Sequence, residues 1–228
     1  MKKQIFIGIL LSTLTPYGEE PTKQNLEKIT IATPVEKIIP KSYDDFNSYE
    51  KDAMNLMMSK NSNIFLSDDA GNNFVIYMIP HHEAAIITSI GILKFTKDER
   101  VKKLAEDIIK TQENEVKLQQ EILASNDLQG NDIKGFKDEM KKIMHHMMME
   151  MSMTSKPLTN SKDATIAYLT NMIYHHKGAV QMAQAYLKVG KNPELINLCK
   201  DIISSQESQI KEMKNILKKY KAPIPNIN

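Results

Sequence analysis

All six histidines of the chain stand as three adjacent pairs, His81-His82, His145-His146 and His175-His176, and methionine is abundant at 15 residues. Thioether sulfur is a soft ligand that suits Cu(I) or Ag(I), and imidazole serves both copper oxidation states, so Cu(II) is a further option. On a helix, residues three and four apart share a face. Met78 therefore lies beside His81 and His82, and Met172 beside His175 and His176, giving one thioether and two imidazoles within a turn. Adjacent histidines diverge by about 100° around the axis, so the members of a pair need not serve the same ion. Met182 follows His175 at a distance of about 10 Å along the same face, which assigns it to a second site.

Methionine is densest between these two pairs. Met140, Met144, Met147, Met148 and Met151 form one helical stripe, with His145 and His146 a turn from Met148, Met149 and Glu150. A methionine stripe is ordinarily core packing, since the flexible side chain fills irregular gaps. Seven Met and two His between positions 140 and 153 exceed what packing requires, and Met149 and Met153 fall off the stripe. The segment therefore reads as a third ligand cluster.

Helices must position these residues. From Ser42 onward the apolar spacing is helical and the helix-starting residues recur. Ser42 is expected to cap a helix to about Lys60, Ser67 with Asp68 and Asp69 to open the next, and Thr96 with Glu99 to form a capping box for a helix reaching about Ala124. Asn192 and Pro193 supply the cap and first turn of the last helix, after a stop at Gly190. A constant offset of 94 aligns Met78–Leu123 with Met172–Leu217 without gaps, at about 17 identities in 46 positions. The matches include both His pairs and Gln112-Glu113 with Gln206-Glu207. Gln112 and Gln206 lie where a side chain from the partner helix could orient an imidazole or equally make an ordinary buried hydrogen bond. Two helical hairpins make a four-helix bundle, whose interior can hold a metal. The expected fold is thus all-α: a four-helix bundle of two repeated hairpins with additional N-terminal and central helices. Repeat one spans 67–124, the Met/His-rich central segment 132–154 and repeat two 161–221, within a helical domain of 42–228.

Charged residues make up 25% of the chain and nearly cancel at +2, so charge argues for neither nucleic acid nor an anionic membrane as partner. Met1-Lys2-Lys3 followed by the mostly apolar stretch from Ile5 to Leu14 has the form of a secretory signal, expected over 1–18 and directing the protein to the periplasm, with an uncleaved anchor as the alternative. Pro21, Pro34 and Pro40 suit an extended linker over 19–41. The single Cys199 can form no internal disulfide and reads as a small buried residue.

Met78-Ile79-Pro80-His81-His82-x-x-Ala85 and Met172-Ile173-Tyr174-His175-His176-x-x-Ala179-x-x-Met182-Ala183, each followed by Leu-x3-Ile-Ile-x2-Gln, resemble the repeat of the domain of unknown function 305 family, which includes bacterial copper-binding proteins. The resemblance covers about Phe74 to Leu217. It implies a ferritin-like four-helix fold, export, and copper held by Met and His, with Met78, His81, His82, Met172, His175, His176, Met182 and Met213 as the matching positions. Thr88 stands opposite Met182 and Gln119 opposite Met213, so the first repeat lacks two of the family's methionines. Tyr174 replaces Pro80, whose place inside a helix is expected to kink it and free a carbonyl.

These residues point to an exported, non-enzymatic protein that sequesters or buffers Cu(I), with a metal ion as its ligand and a copper-transfer protein as a conceivable partner. Two other classes compete. A di-iron oxidase or hemerythrin-like oxygen binder on the same bundle needs Glu-x-x-His motifs, and the sequence contains none. A helical adaptor gripping partners through a Met-rich surface is the other.

Overall fold

A computed structural model describes residues 6–10, 30–34, 43–62, 69–125, 135–153 and 163–227, in two units divided after Ser42. Most of the expected leader and linker, Ser42, Ser67, Asp68 and the ends of the central segment lie outside the described residues, and the helix expected to be capped by Ser42 instead begins at Phe46, with Asp45 accepting from the Ser48 amide at 2.9 Å. In the first unit, β1 (Phe6–Leu10) pairs antiparallel with β2 (Thr30–Pro34), Phe6 opposite Pro34 and Leu10 opposite Thr30. As a leader and an extended linker, the apolar run and the proline-bearing segment are not expected to pair.

The second unit is all-helical: α1 (Phe46–Ser62), α2 (Ala70–Phe95), α3 (Glu99–Ser125), α4 (Phe136–Met153), α5 (Ala164–Leu187) and α6 (Pro193–Lys219). Helices α2, α3, α5 and α6 are the expected bundle of two hairpins. α3 and α6 bury one stripe each, at Val101, Leu104, Ala105 and Ile108 and at Leu195, Leu198, Cys199 and Ile202. That three-and-four spacing is what a helix with one wet face requires. α2 and α5 are buried nearly all round, because each packs on its own hairpin partner, on the other central helix and on a further covering helix. α2 is apolar and long enough to cross a membrane by composition alone, yet it is the core helix of this bundle.

Caps explain several boundaries. Asp69 accepts a hydrogen bond from the Asn72 amide at 2.6 Å, and Asn192 accepts from that of Leu195 at 2.9 Å, as their sequence positions indicate. Thr96 departs from expectation. It ends α2, its hydroxyl bonds Thr165 across the bundle at 2.8 Å, and Asp98 caps α3 by accepting from the Arg100 amide at 2.9 Å. α2 runs on through the buried Pro80 without a break in its helical span.

The covering helices extend the repeat beyond the hairpins. α1 packs on α2 as α4 packs on α5, each reaching lightly to the other central helix. At an offset of 90 rather than 94, Phe46, Lys51, Met54, Met57, Met58 and Ser62 face identical residues at 136, 141, 144, 147, 148 and 152. Buried positions also coincide, at 46 and 136, 50 and 140, 53 and 143, 54 and 144, and 57 and 147. Lys60 of α1 pairs with buried Glu83 of α2 at 2.5 Å, while at the equivalent places Glu150 of α4 pairs with Lys177 of α5 at 2.8 Å. The bridge recurs with its charges exchanged. Each half of the unit is therefore a three-helix repeat, α1-α2-α3 and α4-α5-α6, related by an approximate two-fold operation.

Candidate metal centre

Because α2 and α5 are enclosed on every side, two consecutive residues can both be buried there, which a surface helix does not permit. His81, His82, His175 and His176 are all fully or almost fully buried. The first members of the two pairs meet at the contact between the central helices, their rings 3.7 Å apart between centroids and inclined by 37°. His81 and His175 are equivalent residues of the repeat, so the approximate two-fold axis passes between them. The second members turn back into their own hairpins. His82 Nε2 lies 2.9 Å from Glu115 Oε2 of α3, and His176 Nε2 lies 2.8 Å from Gln209 Oε1 of α6. Glu115 and Gln209 are also equivalent at the offset of 94.

Burial sets the charge state of these rings. It holds His81 and His175 well below the ordinary histidine value, and the neighbouring imidazoles push the same way. His176 is lowered to about 4, burial outweighing the hydrogen bond to Gln209. Near neutral pH these three imidazoles carry no charge and offer lone pairs without first losing a proton. With Gln209 Oε1 as acceptor, His176 Nε2 bears the hydrogen and Nδ1 the lone pair. That Nδ1, like both ring nitrogens of His175, is buried without a hydrogen-bond partner. Gln112 and Gln206, expected either to orient an imidazole or to make an ordinary buried hydrogen bond, are buried with both amide atoms unpartnered; Glu115 and Gln209, one turn further along, approach the rings instead.

α4 supplies sulfur. Met147 Sδ lies 3.2 Å from His81 Nε2. Gly178 of α5 makes this approach feasible, since a Cβ there would fall 2.7 Å from the same sulfur. Met140, Met144 and Met151 share the buried face of α4, and Met148 is half-buried beside it. Met78, Met172, Met182 and Met213 are buried within the bundle, Met172 and Met213 in one apolar cluster with Ile173, Ile210 and Leu217. His145 and His146 are not brought to this centre. They project from the exposed side of α4, with His146 Nε2 3.5 Å from Glu150 Oε1. Cys199 is buried, and burial pushes its thiol up, away from the thiolate a metal would need.

Among the described residues no three His, Cys, Asp or Glu side chains are gathered as for a metal ion. The groups that do meet here are imidazoles and a thioether, a donor set that fits a soft monovalent ion. Glu115 and Gln209 escaped the sequence reading although the repeat offset pairs them. Gly178 left no signal, because its role lies in the approach of another helix.

The sequence profile of the domain of unknown function family DUF305 matches residues 10–123 and again 71–217, and the chain belongs to that family. Among solved structures it is similar to CopM in its Cu(I)-bound form, at 27% identity and a TM-score of 0.50 over 66% of this chain and 96% of that one, and to CopM in an Ag-bound form at 26%. A candidate secreted DUF305 protein from Streptomyces coelicolor gives 25% identity and a TM-score of 0.52 over 71% of this chain and 98% of that one. An uncharacterised protein of Acanthamoeba polyphaga mimivirus is 50% identical over 52 residues, which are 23% of this chain and about a third (34%) of that relative's length.

Proposed function

We propose that this chain is an exported, non-enzymatic copper-binding protein that sequesters or buffers Cu(I), accepts Ag(I) at the same ligands, and so contributes to metal resistance or homeostasis. The observation that carries the reading is the closely apposed, uncharged His81 and His175 at the bundle centre, with Met147 sulfur against one ring and the nitrogens of the other unpartnered. Neutral rings and thioethers in a water-poor interior favour a monovalent soft ion over a divalent one, whose greater charge is costlier to bury. His81, His175 and Met147 are the central ligands, His82 and His176 flank them, Met78, Met172 and Met182 provide further sulfur along α2 and α5, and Met213 provides it from α6. Glu115 and Gln209 fix the orientation of the flanking rings. His145, His146, Met148 and Met149 on the outer part of α4 form a separate, weaker site from which copper is captured or passed to a transfer partner. The metal-bound CopM structures and the basic-then-apolar N-terminus support copper binding and export.

Anaerobic Cu(I) titration of the purified protein against a chromophoric chelator tests the reading. Uptake of at least one equivalent is expected, reduced by His81→Ala with His175→Ala; no uptake in competition with the chelator rejects it. Iron-dependent visible absorption in the isolated protein would instead favour the oxygen-binding alternative.

A further inference from the structure

We infer that Met57 of α1 is a metal ligand, forming with His175 the two-fold counterpart of the pair made by Met147 and His81. This rests on the copper reading above and adds a residue from a helix outside the hairpins. Met57 and Met147 are equivalent by sequence, each within the identical Met-x-x-Met-Met of 54–58 and 144–148. Both are buried, at 1% exposure each. The charge-exchanged bridges hold α1 against α2 at the same register as α4 against α5, because Lys60 and Glu150 are equivalent and so are Glu83 and Lys177. Met147 belongs to the second repeat yet touches His81 of the first. The same operation carries Met147 to Met57 and His81 to His175, and α1 does pack on α5 as well as on α2.

The ring that receives this counterpart has unmet capacity. His175 is buried with both nitrogens lacking hydrogen-bond partners, a costly state for an imidazole in an apolar interior. The unbranched thioether also has three torsions through which its sulfur can be redirected without moving the helix. The two halves are not identical at rest, since among the described residues only His81 has sulfur against it. Filling is therefore sequential: His81 with Met147 first, His175 with Met57 second. The first repeat, with Thr88 and Gln119 where the second has Met182 and Met213, receives sulfur at His81 from Met147 of the second repeat's covering helix.

Methionine-methyl NMR on the full-length protein decides the matter, using Ag(I) as a diamagnetic probe and assigning Met57 and Met147 by through-bond correlation. The expected result is a shift of the Met147 methyl in the first equivalent and of the Met57 methyl by the second. Met57→Leu should then lose about one equivalent of tightly bound Ag(I) while the Met147 shift persists. If the Met147 methyl moves and that of Met57 stays fixed, the inference is overturned and the copper reading stands. If neither moves, both fall. The wild-type titration is sufficient should the variant fail to fold.

Discussion

At the scale of single residues, the centre is defined by imidazoles held neutral and by sulfur admitted through a glycine. His176 titrates at about 4 in the folded protein and near its ordinary 6.5 when unfolded. Its contribution is thus complete above pH 6.5 and is lost as pH falls toward 4, because only the unfolded chain takes up the proton there. The loss from this residue is roughly 3 kcal/mol, and His81 and His175 act in the same direction. Urea denaturation of the apoprotein between pH 7 and 4 should show it. Glu50 works oppositely. Burial raises it to about 8 despite a hydrogen bond from Asn171, so the folded state keeps a proton that the unfolded chain sheds above about 4.5, and stability falls as pH rises toward 8. Glu50→Gln should raise stability at pH 8 by on the order of 2–4 kcal/mol, with little change at pH 4.5, in the same denaturation assay. Gly178→Ala should cost only about 1 kcal/mol, since the atom it meets is the mobile sulfur of Met147, yet weaken Cu(I) binding about tenfold in chelator competition by driving that sulfur off His81.

At the scale of elements, the exchanged ion pairs give α1 and α4 distinct addresses. Seated on the wrong hairpin, α1 would set Lys60 against Lys177 and α4 would set Glu150 against Glu83. Two covering helices with nearly the same methionine pattern need such a distinction, because their apolar faces alone are interchangeable. Lys60→Glu should therefore destabilise the fold by about 3 kcal/mol, by leaving buried Glu83 opposite a like charge. Adding Glu83→Lys to that variant should recover most of the loss, with urea midpoints as the measurement. The hairpins were legible from sequence because their 46 aligned positions carry no gap. The covering helices were not, because the connection from α4 to α5 shifts their offset to 90 and a constant-offset comparison passes over them. The Thr96 capping box failed for a local reason: Thr96 bonds across the bundle to Thr165, and Asp98, two residues on, takes the cap.

At the scale of the whole unit, the approximate two-fold places equivalent residues against each other and concentrates uncharged donors at the axis. An ion bound only by the folded protein should stabilise it by about 2.7 kcal/mol at a free concentration one hundred times its dissociation constant. For a chain of this size that is roughly a 5–10 °C rise in Tm, to be seen in anaerobic melts with Cu(I) and abolished in the His81→Ala, His175→Ala double variant. Sequence alone determined the helical class, the two hairpins, the methionine stripe of α4 and the identity of the histidine pairs, since each is written in spacing along one helix. Tertiary structure decided where those pairs point. His81 and His175 face each other, His82 and His176 turn to Glu115 and Gln209, and His145 with His146 is left outside. The physical reason is that periodicity fixes the angle between neighbours on a helix but not the rotation or register of that helix against others. Only packing sets which of two adjacent imidazoles, about 100° apart, points to the axis.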